Sequence, residues 1–218
     1  DGVSAGYSTM AGEPKLFTRG NGKVGQDISH AIEFLGLPTD VQIEIRGELL
    51  MKKDVFQEKW SDKFSNVRNM IAGTANAKES FPDRWDDIDF VCYEVITPEL
   101  KPSKQFALIK KLNIISVIHK KMTSVDKSKL SNYLIDWREN YDYDIDGIIV
   151  ADDKIYPRTS KNPKHAFAFK TVLDDQVVES KVVNVIWNPS KDGYLKPKVR
   201  IQPVELGGAV IQYATLHN

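Results

Sequence analysis

The sequence predicts an α+β fold with largely antiparallel sheet, followed by a small all-β unit. Three observations carry this expectation. Val41, Ile43 and Ile45 alternate with Gln42, Glu44 and Arg46, the period of two that marks a strand with one buried face. Leu130, Tyr133, Leu134 and Trp137 fall at steps of three and four, the spacing of one helical stripe. After Lys170 helical spacing disappears, and short β-rich runs are separated by turn residues. Strands and helices before that point are mixed irregularly rather than in βαβ alternation, which disfavours a parallel sheet.

Taken in order, Lys15-Leu16-Phe17 reads as a strand, and residues 28–35 as a short helix stopped by Gly36 and Pro38. The strand at 41–46 follows. Helices are expected at 66–75 and 103–112, with a strand at 90–96 between them. After the helix around 130–137 come strands at 146–150 and 166–170. The closing unit should hold strands at 182–187, 198–201 and 209–213, split by 188–193 and by Gly207-Gly208. The expected domains are 1–173 and 174–218, the second cut short because a five-stranded barrel needs more strands than these.

Composition narrows the function classes. With 218 residues, 41% hydrophobic and 28% charged, the chain is neither disordered nor collagenous. One cysteine, Cys92, forms no internal disulfide, and with four histidines it cannot build a Cys-rich zinc cluster. No apolar run approaches the ~20 residues of a membrane helix. A soluble, intracellular protein with no membrane partner is expected. Thirty basic residues balance thirty acidic ones, but unevenly. From Lys154 to Arg200 ten basic residues face four acidic ones, while 136–153 is strongly acidic. Such blocks suit a nucleic-acid face on an otherwise acidic body, although on charge alone two solvated faces are the favoured reading.

Several residues are chemically suggestive. Gly20-Asn21-Gly22-Lys23-Val24-Gly25 is a GxGxxG run with Glu44 about 20 residues on, as in a dinucleotide fold. Against that reading, the helix after it is short and Glu44 sits in mid-strand, so a glycine-rich turn is the commoner explanation. Glu48 closes a strand after Gly47, where a carboxylate can accept hydrogen bonds from two ribose hydroxyls. Tyr93 offers a flat face to a base, although strand aromatics usually pack in cores. Asp146-Gly147 opens an apolar strand. Lys170 ends Ala166-Phe167-Ala168-Phe169, where reduced solvation strengthens its pull on phosphate, unless it simply snorkels to water.

The order of these signals is more specific than any one of them. Asp1-Gly2, Arg46-Gly47-Glu48, Asp89 to Tyr93, Asp146-Gly147 and Phe169-Lys170 together resemble the motifs of covalent nucleotidyltransferases, the superfamily of DNA ligases, RNA ligases and capping enzymes. The stretches from Thr18 to Ile28, from Phe64 to Gly73 and from Ala214 to Asn218 are similar to those of NAD-dependent DNA ligases. The resemblance runs the whole chain. It implies a nucleotidyltransferase domain, with ATP-grasp-like antiparallel sheets and flanking helices, joined to the start of an OB fold.

The family's chemistry is phosphoryl transfer. A lysine takes AMP from NAD, passes it to the 5′-phosphate of nicked double-stranded DNA, and the nick's 3′-hydroxyl then displaces AMP. The resemblance implies Asp1, Asp146 and Lys170 as catalytic residues. Glu48 would bind ribose and Tyr93 adenine, while Arg19, Arg68, Arg138 and Lys170 would contact the nucleotide and its phosphates. NAD and Mg²⁺ are the implied cofactors, with no side-chain metal ligand assigned. Lys191, Lys161 and Lys164 would meet DNA, with binding that falls steeply as salt rises. A monomer is expected, in the cytoplasm or nucleoid, or at a replication site or nucleus if the source is viral.

Three departures accompany the resemblance. The nucleophilic lysine of the family's Lys-x-Asp-Gly motif falls two positions before Asp1, outside the sequence. Ala151 stands where the family carries a lysine five residues after Asp146, and Asn76 where it carries a second arginine after Arg68. These suit a divergent member. The absent lysine and Ala151 also keep open a ligase-like nucleic-acid-binding module without catalysis; an ATP-using polynucleotide ligase or capping enzyme of the same superfamily is the other alternative, against which the glycine-rich and Ala214 to Asn218 stretches argue.

Overall fold

The computed structural model describes residues 2–20, 22, 24–77, 81–158, 162–170, 178–190, 193–206 and 209–216. The chain divides into two compact units, 1–170 and 171–218.

The first unit is organised around a four-stranded antiparallel sheet. Its strands are β1 (Val3–Ser8), β2 (Lys15–Thr18), β3 (Glu44–Leu50) and β4 (Asp89–Thr97), in spatial order β2-β1-β3-β4. Alternation gives each strand one apolar face. Ala5, Tyr7, Leu16, Ile45, Leu49, Phe90 and Cys92 are buried together on one side. Helix α2 (Val67–Ala75) contributes Met70 and Ile71 to that core, and α3 (Pro82–Trp85) contributes Trp85. Helix α4 (Pro102–Lys111) adds Ile109. Burial pushes the Cys92 thiol up to about 12, which makes it a packed side chain rather than a nucleophile. On the opposite face, Ser4, Arg46 and Glu48 point away from this core. A small second cluster of Leu50, Val91 and Tyr143 closes one end of that face.

Helix α1 (Lys53–Lys59) follows β3 directly, and α5 (Lys127–Asn140) precedes a two-stranded antiparallel ribbon of β5 (Ile148–Ala151) and β6 (Ala166–Phe169). Both α2 and α5 start at side-chain caps. Asn66 accepts a hydrogen bond from the Asn69 N–H, and Asp126 from the Lys129 N–H, each at 2.8 Å, contributing about 1 kcal/mol apiece.

Two local expectations are corrected. Residues 28–35 do not form an α-helix; only a 3₁₀ turn, Ser29–Ala31, is present. The segment is sewn to β2 instead, with the Leu16 N–H donating to the Ser29 hydroxyl and the Ile28 N–H to the Leu16 carbonyl. The strand expected from Val41 begins at Glu44, because the Thr9 hydroxyl satisfies the backbone there, donating toward the Val41 and Ile43 carbonyls and accepting from the Ile43 N–H.

The second unit is a three-stranded antiparallel meander of β7 (Val182–Pro189), β8 (Leu195–Leu206) and β9 (Ala209–Thr215). Lys196, Lys198 and Arg200 share one exposed face of β8, while Val199 between them is buried. Among the described residues, no helix is long and apolar enough to cross a membrane.

Candidate functional site

The register of β1 against β3 sets Ser4 opposite Glu48. The Ser4 hydroxyl donates to one carboxylate oxygen of Glu48 and the Gly2 N–H to the other, both at 3.2 Å. The carboxylate is therefore fixed in orientation while each oxygen keeps a lone pair for a further donor. Gly2 is needed for this approach, since a Cβ there would stand 2.0 Å from the Leu49 carbonyl oxygen. On β4, Tyr93 is the extra residue of a bulge, because Arg46 pairs with Glu94 but Gly47 with Cys92. Bulges re-aim side chains, and this one leaves the Tyr93 ring partly exposed beside Ser4, Arg46 and Glu48. Burial, reinforced by the Glu48 charge and opposed by the Ser4 hydroxyl, raises the Tyr93 hydroxyl above its ordinary value, so it is neutral at physiological pH.

Beside this face lies a cavity of about 410 Å³ whose lining includes Ser4, Arg19, Arg68, Ala72 and Asn76. Arg19 comes from the turn after β2 and donates its N–H to the Ser4 carbonyl at 2.7 Å. Gly20 has φ +53, and a Cβ there would meet the Val24 carbonyl oxygen at 1.9 Å. The glycine-rich run is thus a tight turn that aims Arg19, and the antiparallel sheet excludes the dinucleotide-fold reading. Arg68 reaches the cavity from α2, where Arg68, Ala72 and Ala75 fall within about 60° of one another around the helix while Met70 points away into the core. Two guanidiniums and no lining carboxylate suit an anion.

The second group of expected residues sits on the ribbon. Lys170 follows β6 directly and donates to Asp146 at 3.2 Å, with the two side chains 62% and 64% exposed. Gly147 permits the crossing, since its Cβ would stand 2.6 Å from the Phe169 carbonyl oxygen. Arg138 of α5 donates its Nε to the Ile145 carbonyl at 3.3 Å and Nη2 to the Asp146 carbonyl at 3.0 Å. It is placed as a brace on the backbone of Asp146 and is not part of the cavity lining. Ala151 ends β5 opposite Ala166, and Lys154 beyond it pairs with Asp152. Lys164 is exposed just before β6.

Among the described residues, two side-chain ties anchor the ribbon. Asp153 accepts from the Ser103 N–H at 2.8 Å and from Lys101 and Lys121. Arg158 reaches Glu94 at 2.8 Å, and Glu94 also meets Arg46 at 3.5 Å. Asp1, Lys161 and Lys191 lie outside the described residues, as do His217 and Asn218. Sequence reasoning missed Ser4, and it quoted Gly2 in a motif without its role in orienting Glu48. It counted Lys196, Lys198 and Arg200 in the basic segment without placing them on one strand face, although their period-two spacing carries that signal. Among the described residues, no three His, Cys, Asp or Glu side chains converge to hold a metal ion. Asp146 supplies one carboxylate, a donor set that suits Mg²⁺ held mostly by phosphate oxygens and water.

Comparison with known proteins identifies a family and a fold. The family model described as the NAD-dependent DNA ligase adenylation domain matches residues 3–172. A DNA ligase of Acanthamoeba polyphaga mimivirus is 37% identical over 227 aligned positions, covering all of this chain and 35% of the relative. A DNA ligase of Halothermothrix orenii is 29% identical over 243 positions, covering all of this chain and 36% of that protein. The chain thus spans about a third of the length of these relatives. A solved structure from a structure-function study of DNA binding by Lig E DNA ligases superposes with a TM-score of 0.62 at 16% identity. It covers 98% of this chain and 73% of that one, a likeness of fold.

Proposed function

The chain belongs to the family of NAD-dependent DNA ligase adenylation domains, and from that membership we propose that it carries the nucleotide-binding and adenylyl-transfer site of an NAD-dependent DNA ligase. The observation that carries the proposal is the doubly held Glu48 carboxylate, on one sheet face with Tyr93 and beside a cavity walled by Arg19 and Arg68. Glu48 accepts from the ribose hydroxyls, and the Tyr93 ring packs against adenine. Arg19 and Arg68 hold phosphate oxygens in the planar, two-pronged way that guanidinium allows. Lys170 places a cation at the α-phosphate, where charge grows in the transition state, and Asp146 restrains Lys170 until phosphate competes for it.

The nucleophile is the lysine that the family carries two positions before Asp1. Its amine attacks the α-phosphorus, the bond to the nicotinamide mononucleotide oxygen breaks, and AMP is left on nitrogen. AMP then moves to the nick's 5′-phosphate, and the 3′-hydroxyl displaces it. Mg²⁺ supplies charge neutralisation at the phosphates. Arg138 acts through the backbone of Asp146 as a positioning residue. The second unit begins an OB fold whose Lys196, Lys198 and Arg200 stripe, with Lys191, follows the backbone of nicked duplex DNA, and Lys161 and Lys164 of the first unit are DNA contacts in their own right. The protein works inside the cell as a monomer.

The test uses the chain extended upstream to include that lysine. It should take label from adenylate-labelled NAD and none from labelled ATP. Label from ATP alone overturns the NAD assignment. A folded protein that takes label from neither is a non-catalytic binding module.

A further inference from the structure

Residues 101–129 carry eight lysines against one carboxylate, Asp126, and no arginine. This excess of seven is larger than that of the basic segment after Lys154. On α4, Lys104, Lys110 and Lys111 fall within an arc of about 120°, on the side away from buried Ile109. The Phe106 ring stacks on His119 at 3.9 Å with 7° between planes, which lays the following loop against the same helix. Lys110 and His119 then line one cavity of about 450 Å³, together with Ser103 and Ser116. Lys120 sits 4.6 Å above the Tyr133 ring of α5, which carries the array on to that helix.

Little negative charge offsets these lysines. Asp153 is shared between Lys101 and Lys121, at 3.2 and 3.1 Å. Among the described residues, Lys104, Lys110, Lys111 and Lys127 have no carboxylate within ion-pair distance, and all four are exposed. A face of unopposed like charges repels itself, and a polyanion relieves that repulsion while releasing its own counterions. The chemistry of the array also selects the partner. Lysines on flexible stems act as point charges, suited to a regular run of phosphates rather than to planar, paired recognition.

We propose that the face built by α4, the loop at 113–126 and the start of α5 is a DNA-backbone contact surface of the first unit, binding phosphodiesters of duplex flanking the nick. The inference rests on the reading of the chain as a DNA-acting domain. It adds a surface separate from the nucleotide cavity, which lies at α2 and the β1–β2 side of the sheet, whereas α4 packs against edge strand β4. Contact here reads charge and carries no sequence preference.

The experiment is salt-dependent binding of a labelled nicked duplex by the full chain, followed by anisotropy between about 50 and 200 mM salt. Combined Lys110→Ala, Lys111→Ala and Lys120→Ala should flatten the slope of log K against log salt by about 2.7, at about 0.9 per phosphate contact, with affinity down at least about tenfold at the lowest salt. Lys104→Glu with Lys111→Glu should weaken binding further, and Lys52→Ala with Lys63→Ala should leave the slope unchanged. Circular dichroism checks that each variant is folded. An unchanged slope in both patch variants overturns the surface. So does failure of the unsubstituted chain to bind duplex, which would leave an acidic protein surface as the fitting partner. Uptake of label from NAD, measured on the upstream-extended protein with the same substitutions, separates the two ideas. Normal uptake with an unchanged slope sinks the surface and spares the adenylation reading, and a flattened slope in a protein that takes no label does the reverse.

Discussion

Glu48 and Lys170 are expected to touch one nucleotide, yet the fold holds them in opposite ways. Glu48 stands inside a four-stranded sheet, with both carboxylate oxygens bonded and Leu49 beside it fully buried. Lys170 stands at the end of a two-stranded ribbon in which neither strand has a buried residue, and its ion pair with Asp146 is more than half exposed. An exposed pair of this kind stabilises the fold by well under about 1 kcal/mol. The contrast assigns different work to the two halves. The sheet half is preorganised and inseparable from stability. The ribbon half is held by a few ties and can give up its internal pair to a substrate at little cost to the fold.

The largest effect should come from breaking the sheet half. Leu49→Ala removes a fully buried side chain and should cost about 2–5 kcal/mol, read as a lower urea midpoint with unchanged slope. Ile149→Ala on the ribbon, at a position 71% exposed, should stay within about 0.5 kcal/mol of the parent. If the two substitutions cost the same, the division between the halves is wrong.

Next in size is a loss of chemistry without a loss of stability. Lys170→Ala should abolish nick sealing by the full-length protein, a fall of at least about 100-fold, of the order found when one preorganised transition-state donor is removed. The urea midpoint should not move. Near-normal sealing removes Lys170 from the site, and a large fall in stability would show that its pair with Asp146 holds the ribbon together.

The same division explains what could be read in advance. Strands and helices with one apolar face were legible: β4, α2, α4 and α5 lie within one to three residues of the periodicity that predicts them. Glu48, Arg19, Arg68, Asp146 and Lys170 were legible as candidates through their ordered motifs. What failed was set by contacts between distant segments. β1 went unrecognised although Val3, Ala5 and Tyr7 alternate with Ser4, Gly6 and Ser8, because a run this short with Ala and Gly at its centre carries little strand propensity and its burial comes from pairing with β2 and β3. The hydrogen bonds of Arg138 could not be read because they go to carbonyls seven and eight residues on, at Ile145 and Asp146, which no periodicity marks. The lysine array was overlooked because its members come from a helix, a loop and a second helix, brought together by the stack of Phe106 on His119.

The smallest effect concerns the ties themselves. Asp153 lies just past β5 and accepts from the Ser103 N–H, the Ser103 hydroxyl and two lysines. These partners, the Ser103 N–H foremost, hold its carboxyl well below the usual carboxylate range. A carboxylate depressed in the folded state contributes stability that is complete above its unfolded value, near 3.8, and is lost as pH falls through the folded value. Protection of the β5 amides against hydrogen exchange, corrected for intrinsic rates, should therefore be flat from neutrality down to about pH 4 and fall only below that. Asp153→Asn keeps an oxygen for the Ser103 N–H but loses the attraction of Lys101 and Lys121, so exchange should quicken a few-fold, and Asp153→Ala, which loses both, should quicken it more. The Arg158–Glu94 tie remains in either variant, which is why the ribbon should loosen rather than detach. Equal protection in all three proteins would mean that Arg158 alone anchors the ribbon, and that the sheet half and the ribbon half meet through Glu94.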